Sequence, residues 1–313
     1  MEIRNLGNSG LRVSAVGLGC NNFGMRLDAE GTRKVIHKAI DAGITLFDTA
    51  DVYGNRGGSE TAMGQVLGDR RKDIVLATKF GMPMDDAGIK KGAARRYIMQ
   101  AVEDSLKRLQ TDHIDLYQQH NYDPLTPIEE TLRALEDLIR AGKVRYVGCS
   151  NLPAWRVVEA ELTAKAIHVH PFISIQDEYS LVVRDLEKDL QPMAKAYNLG
   201  ILPYFPLASG LLTGKYKKGE TPAGTRLALV PRLKDRYMNE KNIAVVEKLD
   251  AFAAARGHTM LELAFSWLAS RAQVTSVIAG ATRPEQVEQN VKAVEWKMSA
   301  DEIAEIDRIS SGK

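Results

Sequence analysis

Four residues of different chemistry stand at matching places along the chain. Asp48 closes the apolar run ITLFD, Lys79 closes IVLATK, His120 follows IDLYQQ, and Tyr53 lies five residues beyond Asp48 in DTADVYG. A phenol ordinarily keeps its proton to about pH 10. An ammonium beside it favours the phenolate and lowers that value. A carboxylate would hold the ammonium in place and offset the cost of burying it. An imidazole would donate to an incoming oxygen and orient it. Brought together, the four make a tuned proton donor, and general acid catalysis of this kind contributes about 10²–10⁴-fold. A proton donor facing an oxygen suits carbonyl reduction, provided a hydride source lies alongside.

A second set could bind that source. Ser150 and Asn151 follow VRYVGC, Gln176 ends FISIQ, and Tyr204 sits near the end of GILPYF. The first three can hydrogen-bond a carboxamide, and the tyrosine can stack on a flat ring. The stretches SGLLTGKYKKG (209–219) and GATRPEQVEQN (280–290) add Lys215 and Arg283. Phosphate sites in barrels are often built from the loops after strands seven and eight, at a helix N-terminus. A nicotinamide dinucleotide fits this arrangement end to end. Lys217 and Lys218 read as a solvated basic turn. GLGCNNFG (17–24) is spaced G-x-G-x-x-x-x-G, so it is not the dinucleotide fingerprint G-x-G-x-x-G.

Such residues need elements to position them. Eight short apolar runs recur, at 14–19, 44–48, 74–79, 114–119, 144–149, 172–176, 200–205 and 275–280. They are apolar on both faces, as strands of a buried parallel sheet are. Helical patterns alternate with them, at 29–43, 59–68, 95–110, 126–142, 152–162, 184–198, 239–257 and 283–294, with a further one at 259–271. Eight such units predict a single (β/α)₈ barrel domain over 1–313; an open doubly wound sheet is the alternative. Residues 1–13 read as a small hairpin closing one barrel end, and 206–238 as a long loop. Each candidate polar residue then falls at or just after a strand's C-terminal end, where barrel active sites lie.

Composition excludes several other roles. The 313 residues are 44% hydrophobic and 26% charged, with a net charge of +2. That is an ordinary globular balance, and bulk charge gives no reason to propose nucleic acid or an anionic membrane as partner. The N-terminus lacks the apolar run of a secretory signal, and no run of 18 apolar residues occurs. Cys20 and Cys149 have no metal-type spacing and read as small buried residues in a cytoplasmic protein without disulfides. His37, His113, His168, His170 and His258 read as surface or structural, Asp51 as a loop hydrogen-bonder, and Trp155, Trp267 and Trp296 as packing residues.

With these residues in hand, the chain resembles the aldo-keto reductases over essentially its full length. The motifs are DTADVYG (48–54), TKFG (78–81), LYQQH (116–120), GKVRYVGCSN (142–151), ILPYFPLASGLLTGKY (201–216) and IAGATRPEQVEQN (278–290), in this order and spacing. The resemblance implies a (β/α)₈ barrel holding extended NADPH or NADP⁺ without a Rossmann domain. It implies that Tyr53 is the general acid, tuned by Lys79 and Asp48, with His120 orienting the carbonyl. It makes Ser150, Asn151 and Gln176 carboxamide ligands and Tyr204 the stacking ring. Phe205, Pro206, Leu207, Gly210, Leu212 and Lys215 match the segment over the pyrophosphate. Gly280, Thr282, Arg283, Gln286, Gln289 and Asn290 match the adenosine-phosphate end, where Arg283 suits a 2′-phosphate. Two departures stand out: Ala279 where many relatives have proline, and Gln289 where an acid often contacts the adenine. The implied activity is NADPH-dependent reduction of a small aldehyde or ketone, or the reverse oxidation of an alcohol or sugar. The alternative is an NADP(H)-binding regulatory or sensory subunit like those of potassium channels. The substrate pocket is expected in 81–92, 121–127 and the region of Asn22, Phe23 and Met25.

Overall fold

The computed structural model describes residues 1–216 and 221–311, so Lys217 and Lys218 lie outside the described residues. The chain opens with an antiparallel hairpin, β1 (Ile3–Asn5) and β2 (Arg12–Ser14), in the register Ile3↔Ser14. Eight parallel strands follow: β3 (Val16–Gly19), β4 (Leu46–Asp48), β5 (Val75–Phe80), β6 (Ile114–Gln119), β7 (Val144–Ser150), β8 (Ser174–Glu178), β9 (Gly200–Tyr204) and β10 (Val277–Gly280). Their order in the sheet is β10-β3-β4-β5-β6-β7-β8-β9. The two ends of the sheet meet. Ile201 of β9 donates its N–H to Gln273 O at 2.7 Å and accepts from Thr275 N at 3.0 Å, just before β10. This is the (β/α)₈ barrel that the alternation predicts.

Strand periodicity divides the barrel interior into two levels. Side chains two apart share a face. Leu46, Ala77, Leu116, Leu202 and Ile278 form one buried apolar cluster with Leu6 and Val13 of the hairpin segment. The hairpin therefore closes the N-terminal end, as its turn signals suggest. Two residues further along their strands stand Asp48, Lys79, Gln118, Tyr204 and Gly280. Each of these strands thus changes from apolar to polar or open on one face near its C-terminal end, and that change sets the floor of the site.

Helices cover the outside: α1 (Ala29–Asp41), α2 (Tyr53–Leu67), α3 (Arg95–Leu109), α4 (Ile128–Arg140), α5 (Ala154–Ile167) and α6 (Leu190–Tyr197), then α7 (Arg226–Leu229), α8 (Pro231–Tyr237), α9 (Glu240–Ala254), α10 (Met260–Ala269), α11 (Pro284–Lys292) and α12 (Ala300–Ser311). In α4 the buried positions Ile128, Thr131, Leu132, Leu135 and Leu138 recur at the i, i+3, i+4, i+7 spacing of a one-sided stripe. α10 starts with a capping box: Thr259 Oγ1 accepts from Glu262 N, and the Glu262 carboxylate accepts from Thr259 N.

Several boundaries differ from the sequence reading. The segment 206–238 is not a plain loop: it carries a 3₁₀ turn at Ala208–Thr213 and the short helices α7 and α8. The expected helix 184–198 is a 3₁₀ turn at Asp185–Glu187 followed by α6. β8 runs two residues later than expected, because its ladder to β9 spans Ser174–Glu178; Gln176 is therefore in mid-strand. α12 has no counterpart in the sequence reading. Trp267 is fully buried, but Trp155 is 58% exposed and meets only the edge of Tyr122 as aromatic partner, so it is not a core residue. Both cysteines are free and buried.

Candidate active site

Asp48 ends β4, and the chain then turns to bring Tyr53 back over the rim. Gly54, Asn55, Arg56 and Gly57 all have positive φ (69°, 61°, 65° and 114°) before α2 becomes regular. Four successive residues in that region need glycines to carry the most extreme turns, which accounts for the glycine-rich spacing after the tyrosine. Lys79 lies next to last in β5, in register with Gln118 of β6. His120 follows β6 directly, its N–H bonded to Phe80 O at 2.8 Å.

The structure brings the four together. Lys79 is fully buried; its Nζ donates to Asp48 Oδ2 at 2.7 Å, to Thr49 O at 2.8 Å, and to the Tyr53 hydroxyl at 3.5 Å. Asp48 Oδ1 accepts from Gln176 Nε2 at 2.8 Å and from Gln118 Nε2 at 3.1 Å. The rings of Tyr53 and His120 meet edge to face, with centroids 5.6 Å apart. His120 Nδ1 is buried without a partner among the described residues.

Charge in this cluster runs partly against the expectation. Burial works against the Lys79 ammonium, but the charge of Asp48 and the hydrogen bonds to Asp48 and Tyr53 outweigh it and hold the lysine above its usual pKa. Burial pushes the Tyr53 phenol up, the ammonium pulls it down, and Asp48 pushes it up again. The net direction is upward, not downward: desolvation wins, and the free protein holds the phenolic proton firmly. Burial, with the Lys79 charge second, lowers His120 to about 3, so its imidazole is neutral at physiological pH.

A cavity of about 1160 Å³ opens over this cluster. Asp48, Tyr53 and His120 line one part, and Lys215, Thr282, Arg283 and Gln286 line the other; Ser150, Asn151, Gln176, Tyr204, Phe205, Pro206, Leu207, Gly210 and Gly280 lie along it. Asn151 is locked by its neighbours. Its Nδ2 donates to His120 O at 3.0 Å and Ser150 Oγ at 2.9 Å, while its Oδ1 accepts from Tyr204 OH at 2.8 Å. Gln286 Oε1 accepts from Thr282 N at 2.7 Å. Three expected cofactor contacts are not in the cavity wall: Leu212 and Asn290 are buried in packing, and Gln289 is exposed on α11. Of the expected pocket residues Asn22 and Met82 line the cavity, whereas Phe23 belongs to the core and Met25 is exposed.

Sequence reasoning missed part of the wall. Arg26, Arg226 and Arg232 also line it, and none of these or of Lys215 and Arg283 makes a salt bridge with a described residue. Arg226 stacks over the Phe205 ring at 5.2 Å, and burial, then the charge of Arg26, lowers its pKa. Five cations thus face a cavity in which, among the described residues, the one carboxylate, Asp48, is taken by Lys79. Behind the site, Asp51 accepts from Tyr97 OH at 3.2 Å, as a loop hydrogen-bonder should, and burial followed by the charge of Glu60 raises it to about 7. Of the other histidines, His37 meets Val66 O at 3.3 Å, His113 meets Asp112, His170 meets Glu136 at 2.7 Å, and His258 stacks on Trp296.

The contact chain Asp48–Lys79–Tyr53 at the C-terminal mouth of a barrel, under a cavity lined by cations, can be set beside known proteins. The family model "Aldo/keto reductase family" matches residues 15–311. The chain is 38% identical to a probable voltage-gated potassium channel subunit beta of Oryza sativa subsp. japonica, over 94% of this chain and 92% of that protein. It is 36% identical to the uncharacterized oxidoreductase YrpG of Bacillus subtilis, over 100% and 97%. It is 35% identical to an L-glyceraldehyde 3-phosphate reductase of Escherichia coli (strain K12), over 98% and 92%. The chain therefore belongs to the aldo/keto reductase family. No helix among the described residues is long and apolar enough to cross a membrane.

Proposed function

We propose that the protein is an NADPH-dependent oxidoreductase that reduces an aldehyde or ketone to the alcohol, with Tyr53 as the general acid. The observation that carries this reading is the contact chain Asp48–Lys79–Tyr53 beside a neutral His120.

The cavity fits such a cofactor. It is larger than a pocket for one small ligand needs, its cations, which pair with no carboxylate among the described residues, suit several phosphate charges, and the buried Ser209 Oγ in its wall has no hydrogen-bond partner among the described residues. Lys215, Arg226 and Arg283 would hold the phosphates, Ser150, Asn151 and Gln176 the carboxamide, and Tyr204 the ring. Held by these residues, such a cofactor would supply the hydride that the carbonyl carbon takes up.

The chain's own residues do the rest. A neutral His120 donates to the carbonyl oxygen and orients it. As charge grows on that oxygen, Tyr53 gives it the phenolic proton. The Lys79 ammonium then stabilises the phenolate left behind, and Asp48 keeps that ammonium in place. Burial holds the phenolic proton on Tyr53 in the free protein, and the Lys79 ammonium is the group that opposes that burial as the phenolate forms.

A second reading rests on the rice relative: a subunit that binds NADP(H) and regulates a partner. The test is NADPH oxidation by the purified protein with a panel of small aldehydes and ketones. The panel includes phosphorylated aldehydes, given the name of the E. coli relative. Turnover supports the enzyme. Tight NADPH binding with negligible reduction of every carbonyl would favour the regulatory subunit.

A further inference from the structure

The polar level of the barrel interior holds one side chain, among the described residues, that the proposed reaction has not used. Gln118 is fully buried and does not line the cavity. Its Nε2 donates to Asp48 Oδ1 at 3.1 Å. The same oxygen accepts from Gln176 Nε2 at 2.8 Å, and that nitrogen also lies 3.4 Å from Gln118 Oε1. The three side chains form a triangle with Asp48 Oδ1 at its apex, while Asp48 Oδ2 takes Lys79.

The triangle is not symmetric. Gln176 borders the cavity and Gln118 sits behind it. An amide NH₂ has two hydrogens, and Gln176 spends one on Asp48 and the other on the long bond to Gln118. At 3.4 Å that second bond is near the limit of useful geometry, so it is the one a ligand acceptor in the cavity takes most cheaply. A ligand that draws Gln176 towards itself also loosens its hold on Asp48. Gln118 has no access to the ligand and is left as the carboxylate's fixed donor.

We propose that Gln118 is a positioning residue, keeping Asp48 aligned on Lys79 while Gln176 is engaged by a carboxamide in the cavity. This rests on the nicotinamide reading above. It differs from a general packing role in one respect: Gln118 matters more when the cavity is filled than when it is empty.

The test uses Gln118→Leu, with Gln118→Met as the second variant should the first fail to fold. Crystal structures are determined with and without NADP⁺. Without it, Gln176 still holds Asp48, and the Asp48–Lys79 bond persists. With NADP⁺ bound, Asp48 turns and its distance to Lys79 grows beyond about 3.5 Å. Affinity for NADP⁺ changes less than about threefold, whereas kcat falls about 10–100-fold, the scale of one lost hydrogen bond to a charged group. An Asp48–Lys79 bond unchanged in the NADP⁺-bound variant overturns the proposal, whatever the rate. Should the wild type reduce no carbonyl, the oxidoreductase reading fails, but the pair of structures still decides the role of Gln118.

Discussion

Replacing Lys79 with methionine separates the chemical role of its charge from its structural one. The ammonium lies 3.5 Å from the Tyr53 hydroxyl. At an effective dielectric of about 20, an ammonium and a phenolate at that distance attract by about 5 kcal/mol. Asp48 lies 2.7 Å from the ammonium and cancels part of this. The expected loss in kcat is therefore about 10²–10⁴-fold, the usual scale of general acid catalysis. The same change leaves Asp48 buried without its cation, which costs about 3–5 kcal/mol of stability. The double variant Lys79→Met with Asp48→Asn removes both charges and should regain most of that stability. It should not regain the rate. Urea midpoints give the stabilities, and single-turnover NADPH oxidation at saturating substrate gives the rates. A double variant within about tenfold of wild-type kcat would show that the lysine only balances Asp48 and does not assist the phenol.

Three other outcomes follow from particular contacts. His120 titrates near 3 in the folded chain against 6.5 as its ordinary value, so the unfolded chain binds the extra proton between those two pH values. Stability from this residue is complete above pH 6.5 and falls by about 1.4 kcal/mol per pH unit of acidification below it; urea midpoints from pH 7 to 4 should decline less steeply in His120→Gln. Arg283→Ala should weaken NADPH binding about 10–100-fold and leave NADH binding within about threefold, as fluorescence titration can show, because only the former brings a 2′-phosphate. Gly64→Ala should cost about 1–3 kcal/mol or more in a urea melt, since a Cβ there would lie 2.2 Å from Arg108 O, where α2 crosses α3; an unchanged midpoint would show that the helices separate freely.

Much of this architecture is legible in the chain. The strands show because each is a short apolar run ended by a turn signal, and Asp48, Lys79 and His120 show because each interrupts or follows such a run. Gln118 is not legible in the same way. LYQQH offers two adjacent glutamines, and only the strand register, two residues beyond Leu116, tells which one faces inward. Arg26 and Arg226 are hidden for another reason: they reach the cavity from segments far apart in sequence, and their neighbours there are set by tertiary packing. The helices inside 206–238 are four and seven residues long, too short for periodicity to reveal. The direction of the Tyr53 shift turns on how deeply the phenol is buried, which spacing does not encode.

Tyr53→Phe tests the central claim most directly, because it deletes one oxygen and leaves the ring against His120. Measured by single-turnover NADPH oxidation with the best carbonyl substrate, the variant should still bind NADPH within about threefold of wild type and lose about 10²–10⁴-fold in rate. A variant that turns over at the wild-type rate would contradict the account, since the proton would then come from elsewhere.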